Sequence, residues 1–152
     1  MEFLIEKATT ENIDEILDLF ENSIKTACSK DYNQRQIIAW TSSRNDKERW
    51  KLKIANQYFI VVKHQNTIVG FGSLEDDYLD FLFVHPKYLR KGIASLIYDT
   101  LKFEATNSGF KKLTVFASIT AKPFFLSKEF KIIKEKKILR KGIEITNFEM
   151  RQ

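Results

Sequence analysis

The sequence predicts a mixed α/β fold, built as one domain over residues 1–152. Three observations lead there. The stretch from Leu79 to Ile97 passes from an apolar strand through a proline-containing turn into an amphipathic helix. Near the start, Ile13, Ile16, Leu17 and Phe20 recur at the spacing of one buried helix face. Segments rich in β-branched and aromatic residues, over 58–75 and 130–150, then supply strands before and after the central unit. With 43% hydrophobic residues and thirteen Phe, 152 residues suffice for a real core.

In chain order, Phe3-Leu4-Ile5 begins a first strand, and Thr10 is the expected cap of the helix through Phe20. A loop closed by Asp31-Tyr32 leads to a short helix ending near Trp40. A second short helix over Asp46–Ala55 places Trp50 and Ile54 on one side. A hairpin follows: Tyr58–Lys63, a turn around Gln65-Asn66, then Thr67–Glu75. Gly70 and Gly72 inside its second strand signal a bulge or a close backbone approach. Glu75-Asp76-Asp77 connects to the central strand, which His85-Pro86 stops. A helix from Gly92 onward carries Ile93, Leu96, Ile97 and Leu101 inward and ends near Gly109. Lys111–Phe116 is a strand, 117–125 turns into a short helix, and Phe130–Lys137 and Ile143–Met150 are the last strands around Gly142. The predicted order is β-αα-β-β-β-α-β-α-β-β.

Composition narrows the function. No apolar run reaches membrane-span length, the N-terminus lacks a signal pattern, and the expected location is cytoplasmic, with no membrane partner. A single cysteine, Cys28, excludes an intramolecular disulfide and offers no metal cluster. As a nucleophile it would need His64 or His85 as base; as a structural residue it needs nothing. The net charge of +5 suits an acidic ligand. Lys131, Lys134, Lys136, Lys137, Arg140 and Lys141 cluster near the end, either as a solvated hairpin or as a nucleic-acid footprint, with nucleic acid the less favoured reading.

The segment between central strand and helix carries the clearest chemistry. Backbone N–H groups from Arg90 to Ala94 fall at a helix N-terminus, where no intrahelical acceptor exists. Gly92 and Ala94 let a ligand approach that backbone, and Arg90 and Lys91 add charge, which makes a site for a pyrophosphate. The glycine spacings of Walker and Rossmann loops are absent. Ordinary packing of a strand on a helix is the alternative for this segment.

Leu89-Arg90-Lys91-Gly92-Ile93-Ala94 resembles the acetyl-CoA signature Q/R-x-x-G-x-G/A of the GNAT superfamily of N-acetyltransferases, of the small bacterial single-domain type. Val84-His85-Pro86-Lys87-Tyr88 resembles the lead-in to that signature, and the predicted element order is the family's. Leu89 departs from the usual Gln or Arg. The segment from Asp31-Tyr32 to Trp40 is similar to one in a bacterial subgroup, where it lies over the acceptor side. The resemblance implies the GNAT acyltransferase fold, acetyl-CoA as cofactor, an amine on a small molecule or peptide as acceptor, and a homodimer as a frequent assembly.

It also implies site residues. The cofactor arm lies between two splayed parallel strands, against Phe83-Val84, with Leu89 to Ala94 at its pyrophosphate. Ser118 stands where relatives carry a cofactor-contacting Asn; it also reads as a cap of the following helix. Tyr32 and Trp40 fall toward the acceptor, although both suit packing as well. Transfer requires an amine freed of its proton, against an ordinary pKa of about 10.4, a polarised carbonyl and a protonated leaving thiolate. Asp80 interrupts an apolar strand and is the candidate base, or else a structural acid paired with Lys or Arg; Glu75 and His85 are weaker candidates. The family's proton-donating Tyr is replaced within Phe124-Phe125 by Phe125, leaving the acid to Ser118 or water and Phe125 to pack on the cofactor. A CoA-binding module with little catalysis is therefore the alternative within the family, and a basic nucleic-acid- or partner-binding protein the alternative outside it.

Overall fold

A computed structural model describes residues 1–152. Seven strands form one sheet in the order β1-β2-β3-β4-β5-β7-β6, and the helices cover its two faces. Strand β1 (Leu4–Lys7) leads through a 3-10 turn (Thr10–Asn12) into α1 (Ile13–Ala27). The cap at this turn is not Thr10: the Thr9 amide donates to Asn12 Oδ1 at 2.9 Å. Helices α2 (Gln34–Thr41) and α3 (Lys47–Asn56) follow, so the three helices read one by one from the sequence all separate β1 from β2, one more than the summary order β-αα-β counts. Asn33 caps α2, its Oδ1 accepting from the Gln36 amide, and Asp46 caps α3.

Strands β2 (Tyr58–His64) and β3 (Thr67–Glu75) are joined by Gln65 and Asn66, both at positive φ as a two-residue hairpin demands. Strand β4 (Tyr78–Val84) continues the antiparallel run. A short turn over Pro86–Tyr88 precedes α4 (Ile93–Asn107), β5 (Thr114–Ser118) and α5 (Lys122–Ser127). Strands β6 (Lys131–Arg140) and β7 (Ile143–Arg151) close the chain, with β7 between β5 and the edge strand β6.

Two cores lie on the two faces. Under α4 and α5, Leu79, Ile97, Leu101, Leu113, Phe130 and Met150 pack together. Under α1, α2 and α3, Ile16, Leu17 and Ile24 of α1 meet Trp50, Phe59 and Phe71. Each such aliphatic side chain contributes about 1.5–3 kcal/mol by leaving water. No helix is long and apolar enough to cross a membrane.

The glycines of β3 set the position of α4. A Cβ at Gly70 would lie 2.9 Å from Ile93 Cγ2 and 3.0 Å from Ile97 Cδ1. One at Gly72 would overlap Ile97 Cγ2 and lie 3.0 Å from the Phe81 carbonyl. Both readings of the glycine pair hold, since Val69, next to Gly70, is also an extra residue against β2. Gly72→Ala is expected to destabilise the protein by about 1–3 kcal/mol through overpacking. A lower urea midpoint at unchanged slope checks this; an unchanged midpoint would contradict the contact.

Candidate active site

Strands β4 and β5 pair in parallel only through Tyr78–Thr114 and Leu79–Val115. Beyond that, β4 stays with β3 as far as Val84 opposite Gly70, and β5 stays with β7 as far as Ser118 opposite Asn147. The strands therefore part over Asp80–Val84. A bulge marks the point of parting: Ser73 faces Phe81 and Leu74 faces Leu79, which leaves Asp80 as the extra residue. Downstream, the His85 amide donates to Val69 O at 2.8 Å, and the Phe83 carbonyl lies against Gly70. Alternation then turns the backbone groups of Leu82 and Val84 away from β3, into the opening. This corrects the expectation for Phe83. Its backbone serves β3, and its ring packs on the α1 face, 5.2 Å from Phe20 and 5.5 Å from Phe71.

At the mouth of the opening, no amide from Leu89 to Ser95 donates within a helix or turn; the Leu96 amide is the first, reaching Gly92 O at 3.0 Å. Gly92 has φ +83°, and nothing lies within 4 Å of where its Cβ would stand. Arg90, also at positive φ, and Lys91 are exposed beside this row. Ile93 contributes only its amide, because its side chain is buried under α4, and Ala94 is half-buried. A depression of about 690 Å³ adjoins the row at Leu89, lined also by Pro86, by Lys30 and Asp31 after α1, and by Ile119 and Thr120 after β5. A chain of free amides, a positive helix end and open space above Gly92 fit an anionic phosphate group.

On the α1–α3 side lies a cavity of about 470 Å³. Asp80 and its neighbour Phe81 both line it, which a regular strand would forbid and the bulge permits. Asp80 Oδ2 accepts from Lys53 Nζ at 2.6 Å and from Gln57 Nε2 at 2.8 Å, with the carboxyl side chain 9% exposed. The candidate base is thus also the paired acid, and Lys53 and Gln57 were not legible as its partners. Tyr78 stands beside it; burial, and then the Asp80 charge, push its phenol above the ordinary range, so it stays protonated. His85 does not line the cavity: its Nδ1 accepts from the Lys87 amide at 3.1 Å.

The other expected residues divide. Ser118 lines the cavity, and its Oγ accepts from the Ala121 amide at 3.0 Å, capping the turn before α5. Trp40 lines the cavity half-buried, edge-on to Tyr32 at 5.3 Å. Tyr32 has its hydroxyl spent, donating to Thr146 O at 2.7 Å and accepting from the Ile119 amide at 2.8 Å. It ties the α1–α2 loop to β7 and to the residue after β5, so its hydroxyl acts as a brace, while the residue still lines the cavity beside Trp40. Phe125 is 3% exposed between Phe124 and Phe130, inside the core, and neither it nor Phe124 lines the cavity. Burial pushes the Cys28 thiol up, away from a nucleophilic thiolate. Asn147, which carried no sequence signal, lines the cavity with a buried Oδ1 that has no hydrogen-bond partner.

The brace has a testable pH signature. Burial first raises the Tyr32 phenol to about 12, with the Ile119 amide opposing. A phenol raised on folding contributes stability that is complete below its unfolded pKa near 10 and is lost as pH rises through 12. Tyr32→Phe is expected to cost about 1–3 kcal/mol at neutral pH, by stranding Thr146 O and the Ile119 amide. The deficit should shrink between pH 10 and pH 12 in urea titrations; a constant deficit would contradict the linkage.

Comparison with known proteins agrees with this geometry. Residues 28–152 match the family described as acetyltransferase (GNAT) domain. The uncharacterized N-acetyltransferase YafP of Escherichia coli is 39% identical over 134 residues, covering 88% of this chain and 84% of that protein. A GCN5-related N-acetyltransferase from Rhodopseudomonas palustris superimposes with a TM-score of 0.96 at 26% identity, over 100% of this chain and 96% of its own. PaiA N-acetyltransferase from Thermoplasma acidophilum, solved in complex with coenzyme A, shares the fold with a TM-score of 0.79 at 17% identity, over 100% of this chain and 99% of its own.

Proposed function

The chain belongs to the GNAT acetyltransferase family, and on that premise we propose that it transfers the acetyl group of acetyl-CoA directly to a primary amine. One observation carries the reading: an opening between β4 and β5 with free amides at its mouth and a cavity on its far side. Acetyl-CoA, when bound, supplies an acetyl group activated as a thioester. The amides from Leu89 to Ser95, with Arg90 and Lys91 beside them, hold its pyrophosphate. Leu82 and Val84 give the opening unpaired backbone groups, and the Val84 N–H is the donor for the acetyl carbonyl oxygen.

Asp80 accepts the amine's proton at the point where the strands part, while Lys53 and Gln57 hold its carboxylate in place. The Ser118 oxygen takes the Ala121 N–H, and its own O–H relays a proton to the departing sulfur while a water molecule restores it, so that no alkoxide is left behind. Phe125 has no proton to give, which is the one feature favouring a CoA-binding module of low activity as second reading. Incubation with acetyl-CoA and a panel of primary amines separates the two. Free thiol released in step with acetylated amine supports transfer; tight CoA binding with no acetylated amine supports the module.

A further inference from the structure

The cavity that would receive the acceptor is basic. Arg49 and Lys53, four apart on α3, share one helix face, and Lys136 and Arg140, four apart on β6, share one strand face. All four line the cavity, against one carboxylate, Asp80, which Lys53 and Gln57 already engage. Lys136 stands 3.5 Å from Glu149, a residue that Arg151 shares at 4.0 Å. Arg49 and Arg140 meet no carboxylate; one lines the cavity from α3 and the other from β6, and both oppose, without cancelling, the upward push of burial on the Tyr78 phenol.

Resting on the acetyl-transfer reading, we propose that the acceptor is an acidic amine, a compound whose primary amine is accompanied by a carboxylate or phosphate. Arg49 and Arg140 take the anionic group, because two guanidinium forks in a concave site focus positive potential and match planar or tetrahedral oxyanions. The same field disfavours the ammonium form of the amine, which lightens the work left to an Asp80 already paired with Lys53. The Asn147 Oδ1, buried without a donor, takes an N–H of the amine. An amine lacking the anion meets only repulsion from these cations.

The experiment uses matched pairs: glutamate against its diamide, and O-phosphoethanolamine against ethanolamine. The acidic member of at least one pair is expected to show a kcat/KM about tenfold or more above its neutral partner, and Arg49→Gln with Arg140→Gln to close that gap. A gap in the glutamate pair alone assigns a carboxylate; one in the O-phosphoethanolamine pair alone assigns a phosphate. Equal use of both members, preference for the neutral member, or a gap that survives the double variant overturns the proposal. If no amine is acetylated, the transfer reading fails, and the charge proposal is judged separately by fluorescence of Trp40 and Trp50, which both line the cavity. Saturable quenching by O-phosphoserine that the double variant loses supports it; no quenching, or equal quenching in both proteins, overturns it.

Discussion

Gly92→Glu is expected to abolish acetyl-CoA binding while leaving the protein folded. The residue sits at φ +83°, a conformation that costs an L-residue about 1–2 kcal/mol. Nothing lies within 4 Å of its Cβ position, so the side chain enters open space rather than the core. There it sets a carboxylate before the free amides from Leu89 to Ser95, occupying donors meant for phosphate and repelling the phosphate itself. Calorimetry should show a loss of more than about 100-fold in affinity. Gly92→Ala separates the two causes, since it carries the strain without the charge, and it should lose about tenfold or less. Retained affinity in folded Gly92→Glu would remove the pyrophosphate from this loop.

Asp80→Asn is the second large effect. The substitution keeps an oxygen for Lys53 and Gln57 and removes the one carboxylate in the cavity. Turnover should fall about 100-fold, as loss of a general base does, with acetyl-CoA affinity changed less than about threefold. A fall alone does not separate a base from an anchor of α3. The pH–rate profile does: loss of the base removes its ascending limb, whereas a displaced Lys53 lowers the whole curve without reshaping it. Unchanged turnover would pass the proton to water.

Most of the architecture was legible, because each element had a local cause. The turn at Gln65-Asn66, the strand stop at His85-Pro86 and the helix stop at Gly109 all lie where turn and cap chemistry put them. Strand β6 runs on to Arg140, past the predicted Lys137, because a hairpin at Lys141-Gly142 keeps it paired to Ile143. The row of free amides was legible for the same reason, as it belongs to one continuous segment. The acceptor side was not. Lys53 and Gln57 reach Asp80 from α3, Asn147 reaches the cavity from β7, and Arg140 from the edge strand; each contact depends on the sheet order. Tyr32 shows the same limit, since its partners Ile119 and Thr146 lie 87 and 114 residues away. The basic cluster near the end reads as one patch in sequence, but alternation along β6 sends only Lys136 and Arg140 into the cavity.

If transfer is direct through the opening between β4 and β5, the acetyl group never resides on the protein. A single turnover with acetyl-CoA labelled in the acetyl group, in the presence of an amine substrate found in the panel, tests it most directly. Label is expected on the amine at the rate of thiol release, with none on the protein at any time. Label passing through the protein, or ending as free acetate with the amine untouched, would contradict it.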